Sequence, residues 1–281
     1  MPRDIQIPRD TAYGPLASRP LGILLPLGVA VAAWEGTTDG IAGWHVLSSA
    51  QDSTIIADAE SAPKVAAYVQ AHYQKMGGEW VNPLAIIAVQ EVAGTGLLAH
   101  TIRGRHPFQI RQFQAAERDE LMRKIGLTSI GSGVHISMAD TVAFDRQFLH
   151  MASGRTFTID LEAWPALVQI ADASGWLPLT TEGGRVNPTE ITAIINDVVF
   201  YRGGFQHPVR LLTPMAKYLL GERAWFDLDE SRRVNPLHVG YINAPEKGPA
   251  SMGLDGTFMV SFDGKLRDSL IRAINKAKAQ A

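Results

Sequence analysis

VNPLAIIAVQEVAGTGLLAHTIRGRHPFQIRQF, residues 81–113, is the stretch on which the fold reading turns. Asn82-Pro83 is a helix-start signal, because an Asn side chain caps free backbone N–H groups and Pro is tolerated in the first helical turn. Over residues 84–91 the pattern is apolar on nearly every side, as a helix enclosed by protein requires. Leu84, Ile87, Ala88 and Glu91 fall at offsets of three, four and seven, so Glu91 shares a helical stripe with three apolar residues. A carboxylate on such a stripe is desolvated, which favours its protonated form. Gly94 and Gly96 then end the helix with Glu91 near an open end. A protonated acid placed there is what general-acid cleavage of a glycosidic bond needs.

The run VNPLAIIAVQE resembles the catalytic helix of lysozyme-like lytic transglycosylases, in which an apolar helix opening in Val-Asp-Pro ends in the catalytic Glu. The segment HPFQI is similar to the family's groove-lining Gly-x-x-Gln-Ile, and the interval from Glu91 to Gln109 (109 − 91 = 18) matches. The following RQFQAAERDELMRKIGL resembles the next helix, so the likeness covers residues 66–127. It departs at Val92, where the family has Ser, and the later Ala-Tyr-Asn-Ala-Gly signature is absent. The resemblance implies one Glu that protonates the glycosidic oxygen and then takes a proton from the sugar's 6-hydroxyl; hydrolysis would need a second carboxylate.

That reading gives a mainly α (α+β) protein: a lysozyme-like helical core with short strands and an α-rich C-terminal extension. Its divisions are an N-terminal arm and strand-like segment (1–53), a helical domain (54–130) and a C-terminal region (131–281) with a terminal hairpin and helix. The expected catalytic residue is Glu91, with Gln109, Arg103, Arg105 and Tyr201 binding substrate. Arg103, Arg105, His106 and Arg111 form a basic cluster that either holds anionic stem peptides or is a solvated loop balanced by Glu117, Asp119 and Glu120. Gln109 either bonds a sugar N-acetyl group or holds a loop, and Tyr201 is either a groove hydroxyl or a core aromatic. The structural alternative for Glu91 is an ion pair with Arg103, Arg105 or Arg111.

Composition narrows the rest. A chain of 281 residues with 46% hydrophobic and 19% charged residues folds around a sizeable core. A net charge of −2 offers no basic field for nucleic acid. With no cysteine there is no disulfide, thiolate metal site or Cys nucleophile, and the compartment stays open. Eight histidines without an H-x-x-x-H or H-x-H spacing argue against a metal, and no cofactor motif is present. The expected partner is a peptidoglycan glycan strand or other protein subunits.

Along the chain, the proline-rich residues 1–20 read as an extended arm suited to lie on another surface or subunit. The apolar run 21–33 is too short to span a membrane and reads as a buried segment or a signal h-region. Strands are expected at residues 44–47, 54–57, 156–160 and 257–262. Helices are expected from Ser61, over 162–173, from Pro214 and from Lys265; further helices are expected after Ser137 and over 188–200. Val-Asn-Pro recurs at 81, 186 and 234 with intervals of 105 and 48, which reads as a reused helix start rather than a repeat. The Gly131–Gly133 stretch reads as a hinge. Two functions follow: a peptidoglycan-cleaving enzyme, or a non-catalytic structural or assembly protein such as a virion or surface-assembly subunit.

Overall fold

A computed structural model of the chain describes residues 16–18, 24–26, 30–38, 41–48, 53–57, 60–93, 96–101, 107–110, 113–180, 183–221, 224–243, 245, 250–255 and 258–280. It is β-rich, built from antiparallel sheets, and the mainly α, lysozyme-like expectation is overturned. The chain divides into two units, Met1–Met138 and Ala139–Ala281.

A short hairpin comes first, β1 (Leu16–Ser18) with β2 (Leu24–Pro26). Then one module is built repeatedly. Module 1 is β3 (Ala30–Thr38), β4 (Ile41–Ser48), β5 (Ser53–Ile56), α1 (Ala62–His72), β6 (Gln74–Met76) and β7 (Glu79–Val81). Module 2 is β8 (Ile86–Val92), β9 (Gly96–Thr101), β10 (Phe108–Ile110), α2 (Ala115–Ile125), β11 (Thr128–Gly131) and β12 (Val134–Ile136).

The second unit continues the pattern. Module 3 is β13 (Thr141–Phe144), β14 (Phe148–Met151), β15 (Thr156–Thr158), α3 (Trp164–Ala173), β16 (Leu177–Pro178) and β17 (Arg185–Val186). Module 4 is β18 (Ile191–Ile195), β19 (Val198–Tyr201), β20 (Gln206–Pro208), α4 (Pro214–Gly221), β21 (Phe226–Asp227) and β22 (Arg232–Val234). Module 5 is β23 (Val239–Asn243), β24 (Ala250–Leu254), β25 (Phe258–Phe262) and α5 (Arg267–Gln280).

In modules 1 to 4 the five strands stand in the order third, second, first, fifth, fourth, so the first strand is central. Each first strand slips register between its first and third residue, and in modules 1 to 4 the third is a buried alanine: Ala32, Ala88, Ala143 and Ala193. Opposite those alanines sit Val81, Ile136, Val186 and Val234 on the fifth strands. The Val-Asn-Pro triplets follow at once. They do not start helices. Asn82, Asn187 and Asn235 each cap a single 3-10 turn, accepting from the N–H two residues on, and the next strand begins directly. Each Asn amide also donates back to the first residue of its own module, to the carbonyls of Ala30, Thr141 and Ile191.

The Val-Asn-Pro triplets therefore mark a true repeat. The long interval hides a fourth junction, Ile136-Ser137-Met138, where the Ser137 N–H donates to the Ile87 carbonyl as Asn82, Asn187 and Asn235 do to Val31, Val142 and Thr192. The junctions step by 55, 50 and 48 residues (137 − 82, 187 − 137, 235 − 187), a period that marks one supersecondary unit per repeat. Neighbouring modules inside each unit share their cores. Met76 and Val81 pack with Ile86, Leu97, Ile110 and Leu121; Val142 and Val186 pack with Ile191, Tyr201 and Leu212; Ala193 and Val234 pack with Val239, Met252 and Leu270. Module 1 also keeps a core of its own, where α1 packs Val65 and Val69 against Ala33, Trp44 and Val46, and the cores shared between neighbours are the feature common to repeat architectures.

The helices placed over 84–91, after Ser137 and over 188–200 are thus strands. Two facts decide this. The runs are rich in β-branched residues, Ile86-Ile87-Ala88-Val89 and Ile191-Thr192-Ala193-Ile194-Ile195, which pack well on a pleat; and a central strand covered on both faces needs no alternation. Leu84, meant for the helical core stripe, is 84% exposed. The Gly131–Gly133 stretch is the tight turn between β11 and β12, with Ser132 and both glycines at positive φ. The expected strands at 44–47, 54–57, 156–160 and 257–262 fall on β4, β5, β15 and β25, and the helices placed at Ser61, 162–173, Pro214 and Lys265 are α1, α3, α4 and α5. Residues 1–15 of the arm lie outside the described residues, as does much of the 21–33 run.

Candidate functional site

Glu91 lies near the end of β8 and is exposed. Its Oε1 stands 3.6 Å from an Arg118 guanidinium nitrogen and 3.6 Å from His135 Nε2. Arg118 comes from α2, which packs over the β8 face, and His135 comes from β12 alongside. The guanidinium is itself held by Asp119 at 2.9 Å, and that carboxylate together with Glu91 raises the arginine's pKa. The apolar stripe expected beside Glu91 does not form, because alternation along a strand puts residues 84, 87, 88 and 91 on no common stripe.

Gln109 sits on β10. Ladder pairing aligns Glu91 with Leu97 and Ile110, and aligns Gln90 with Leu98 and Gln109. Side chains directly opposite one another share a face, and neighbours along a strand do not. Gln109 therefore leaves the opposite face of the sheet from Glu91, and the structure does not bring the two side chains together. Arg103, Arg105, His106 and Arg111 lie outside the described residues. Tyr201 belongs to the second unit. It is fully buried, and its hydroxyl donates at 2.8 Å to His207 Nε2, whose Nδ1 donates to the Pro208 carbonyl at 2.9 Å. Burial lowers the pKa of that imidazole. Tyr201 is a core aromatic.

A charged constellation in the second unit was not singled out from the sequence. The third residue after each junction is Asp140, Glu190 and His238 in modules 3, 4 and 5, and these equivalent positions interact as a column. Arg202 spans two of them, donating to Glu190 at 2.6 Å and standing 3.8 Å from Asp140. His238 donates to the Thr189 carbonyl at 2.8 Å and is paired with Asp255 through its Nδ1. Burial raises the Glu190 pKa despite Arg202. Burial opposes charge on His238, but Asp255, the Thr189 carbonyl and Glu190 outweigh it, so its pKa lies above the usual 6.5. The signal that would have found the column is the module period: only once the junctions are aligned do 140, 190 and 238 become one position.

Glu190 and His238 both hold protons more tightly in the folded chain than in the unfolded one, so protons stabilise the fold. The contribution is whole below the unfolded values. It is lost as pH rises, first through the raised Glu190 range and then above about 6.5 as His238 discharges. Asp255→Asn is expected to move the His238 imidazole titration downward when followed by carbon–proton correlation spectra. An unmoved midpoint would show that Asp255 does not hold the charge.

A recess of about 350 Å³ in module 4 is rimmed by Asp197, Lys217, Glu230 and Arg233, charges of both signs. Among the described residues no group of three or more His, Asp or Glu could hold a metal, and no helix is long and apolar enough to cross a membrane. No family model, curated protein or solved structure matches the chain.

Proposed function

We propose that the chain is a non-catalytic structural or assembly subunit. The observation that carries this is the Glu91 geometry: an exposed carboxylate shared between Arg118 and His135, with Gln109 on the other face of the sheet. Two further features favour protein contacts. Tandem modules that share cores with their neighbours make extended surfaces, the common use of repeat folds. On α4, Met215, Tyr218 and Leu219 sit at i, i+3 and i+4 and are 64, 64 and 46% exposed, and contiguous exposed apolar surface marks association.

Purified cell walls test the reading. The chain is expected to release no muropeptides, and Glu91→Gln is expected to change unfolding free energy by under about 1 kcal/mol, the worth of an exposed ion pair. Release of muropeptides that Glu91→Gln abolishes would overturn the proposal.

A further inference from the structure

Two open edges in this fold complement one another. In modules 1 to 4 the first strand has the second strand on one side and the fifth on the other. In module 5 the helix α5 is present and packs Leu270 into the core, yet among the described residues no strand lies on the outer edge of β23. The consequence is visible in exposure. Where modules 1 to 4 bury Ala32, Ala88, Ala143 and Ala193, module 5 has Tyr241, 50% exposed.

A counterpart to the uncovered edge of β23 precedes module 1 in the sequence. The hairpin β1–β2 is a two-stranded sheet, and among the described residues β2 pairs with β1 alone. Its placement is that of a fourth and fifth strand. Each closing residue stands seven before the buried alanine of the next module (88 − 81, 143 − 136, 193 − 186), and Leu25 stands seven before Ala32. Its pairing span agrees: Ala17 faces Leu25, eight residues on, while Gln74 faces Val81, Thr128 faces Ile136, Leu177 faces Val186 and Phe226 faces Val234, at seven to nine. Among the described residues the hairpin is a closing pair with no first strand beside it.

We propose that the hairpin Leu16–Pro26 of one copy closes module 5 of a second copy, with Leu25 opposite Tyr241, so that the protein associates head to tail. The contact is strand addition to an open edge, in which main-chain bonds give affinity and alternate side chains give register. It repeats the junction that the chain builds between its own modules. The copy is the occupant because β1 lies beside α1 and β5 of its own module 1, and only three residues separate β2 from β3, a reach of about 10 Å. A hairpin tethered there brings its own module 1 against the partner's module 5, as each closing pair leads into the next module. Heterologous contacts of this kind propagate or close into rings. This names the partner for the assembly reading and rests on it.

Close, non-hydrogen-bonded antiparallel pairs suit a disulfide. Ala32–Val81, Ala143–Val186 and Ala193–Val234 are such pairs, since the bonded pairs lie one residue away, and Leu25–Tyr241 would be another. The chain has no cysteine to interfere. Leu25→Cys and Tyr241→Cys chains, mixed and oxidised, are expected to give the mixed dimer in excess over either like-with-like dimer, and the double variant is expected to give a ladder of oligomers. Both products are expected to vanish when Lys276→Cys on exposed α5 replaces Tyr241→Cys, and removal of residues 1–26 is expected to abolish concentration-dependent growth of the wild-type mass. Monomer with an internal disulfide in the double variant, with no mixed dimer, would show that the hairpin closes its own chain and would overturn the proposal. No disulfide in either experiment would overturn it as well. Neither result touches the muropeptide assay, which tests the assembly reading separately.

Discussion

Gly203→Ala is expected to cost about 3–5 kcal/mol, the sum of backbone strain and forced overpacking. Gly203 lies in the turn after β19 with φ of +79°, a region that side chains rarely adopt. A Cβ there would stand 2.7 Å from the Met151 and Ala152 carbonyl oxygens and 2.8 Å from the Gly154 N. All three are backbone atoms of the neighbouring module 3, so no side chain can swing away. Gly154 answers from the other side, its own would-be Cβ 3.0 Å from the Gly203 carbonyl. The two turns meet backbone to backbone. Urea unfolding checks this: a midpoint near wild type would mean that modules 3 and 4 do not touch here. Gly204→Ala provides the contrast, since it has a positive φ but nothing within 4 Å of its Cβ.

Asn82→Ala is expected to cost about 2–4 kcal/mol, because two backbone groups lose a buried partner at once. The amide donates to the Ala30 carbonyl at 2.8 Å and accepts from the Leu84 N–H at 3.1 Å, and the residue is 2% exposed. Asn82→Ser is expected to recover part of the loss, since Ser137 occupies the equivalent junction. A loss below about 1 kcal/mol for the alanine variant would mean that the junction is held by packing alone.

The amphipathic helices were legible because each carries its own local signal. Pro63 and Pro165 lie in the first turns of α1 and α3, and Leu270, Ile271 and Ile274 recur at helical spacing in α5. The central strands were not, because burial on both faces erases alternation and leaves an apolar run that periodicity assigns equally to a helix. Asn-Pro added to the error. The capping chemistry that it announces is real at Asn82, Asn187 and Asn235, but one 3-10 turn satisfies it. The repeat was hidden by three letters, Ile136-Ser137-Met138 for Val-Asn-Pro, which keep the backbone hydrogen bond and lose the motif. The helical stripe expected for Glu91 gives way with its strand, and the column of Asp140, Glu190 and His238 could not be seen until the repeat was.

The central claim is that Ile86-Ile87-Ala88-Val89 and its counterparts are the middle strands of repeated modules. Alanine-labelled protein in a carbon-resolved nuclear Overhauser experiment tests it directly. Close Hα–Hα cross-peaks are predicted for Ala32–Val81, Ala88–Ile136, Ala143–Val186 and Ala193–Val234, the short pairs of their ladders. Helical contacts from Ala88 to residues three or four away, with no peak to Ile136, would contradict the account.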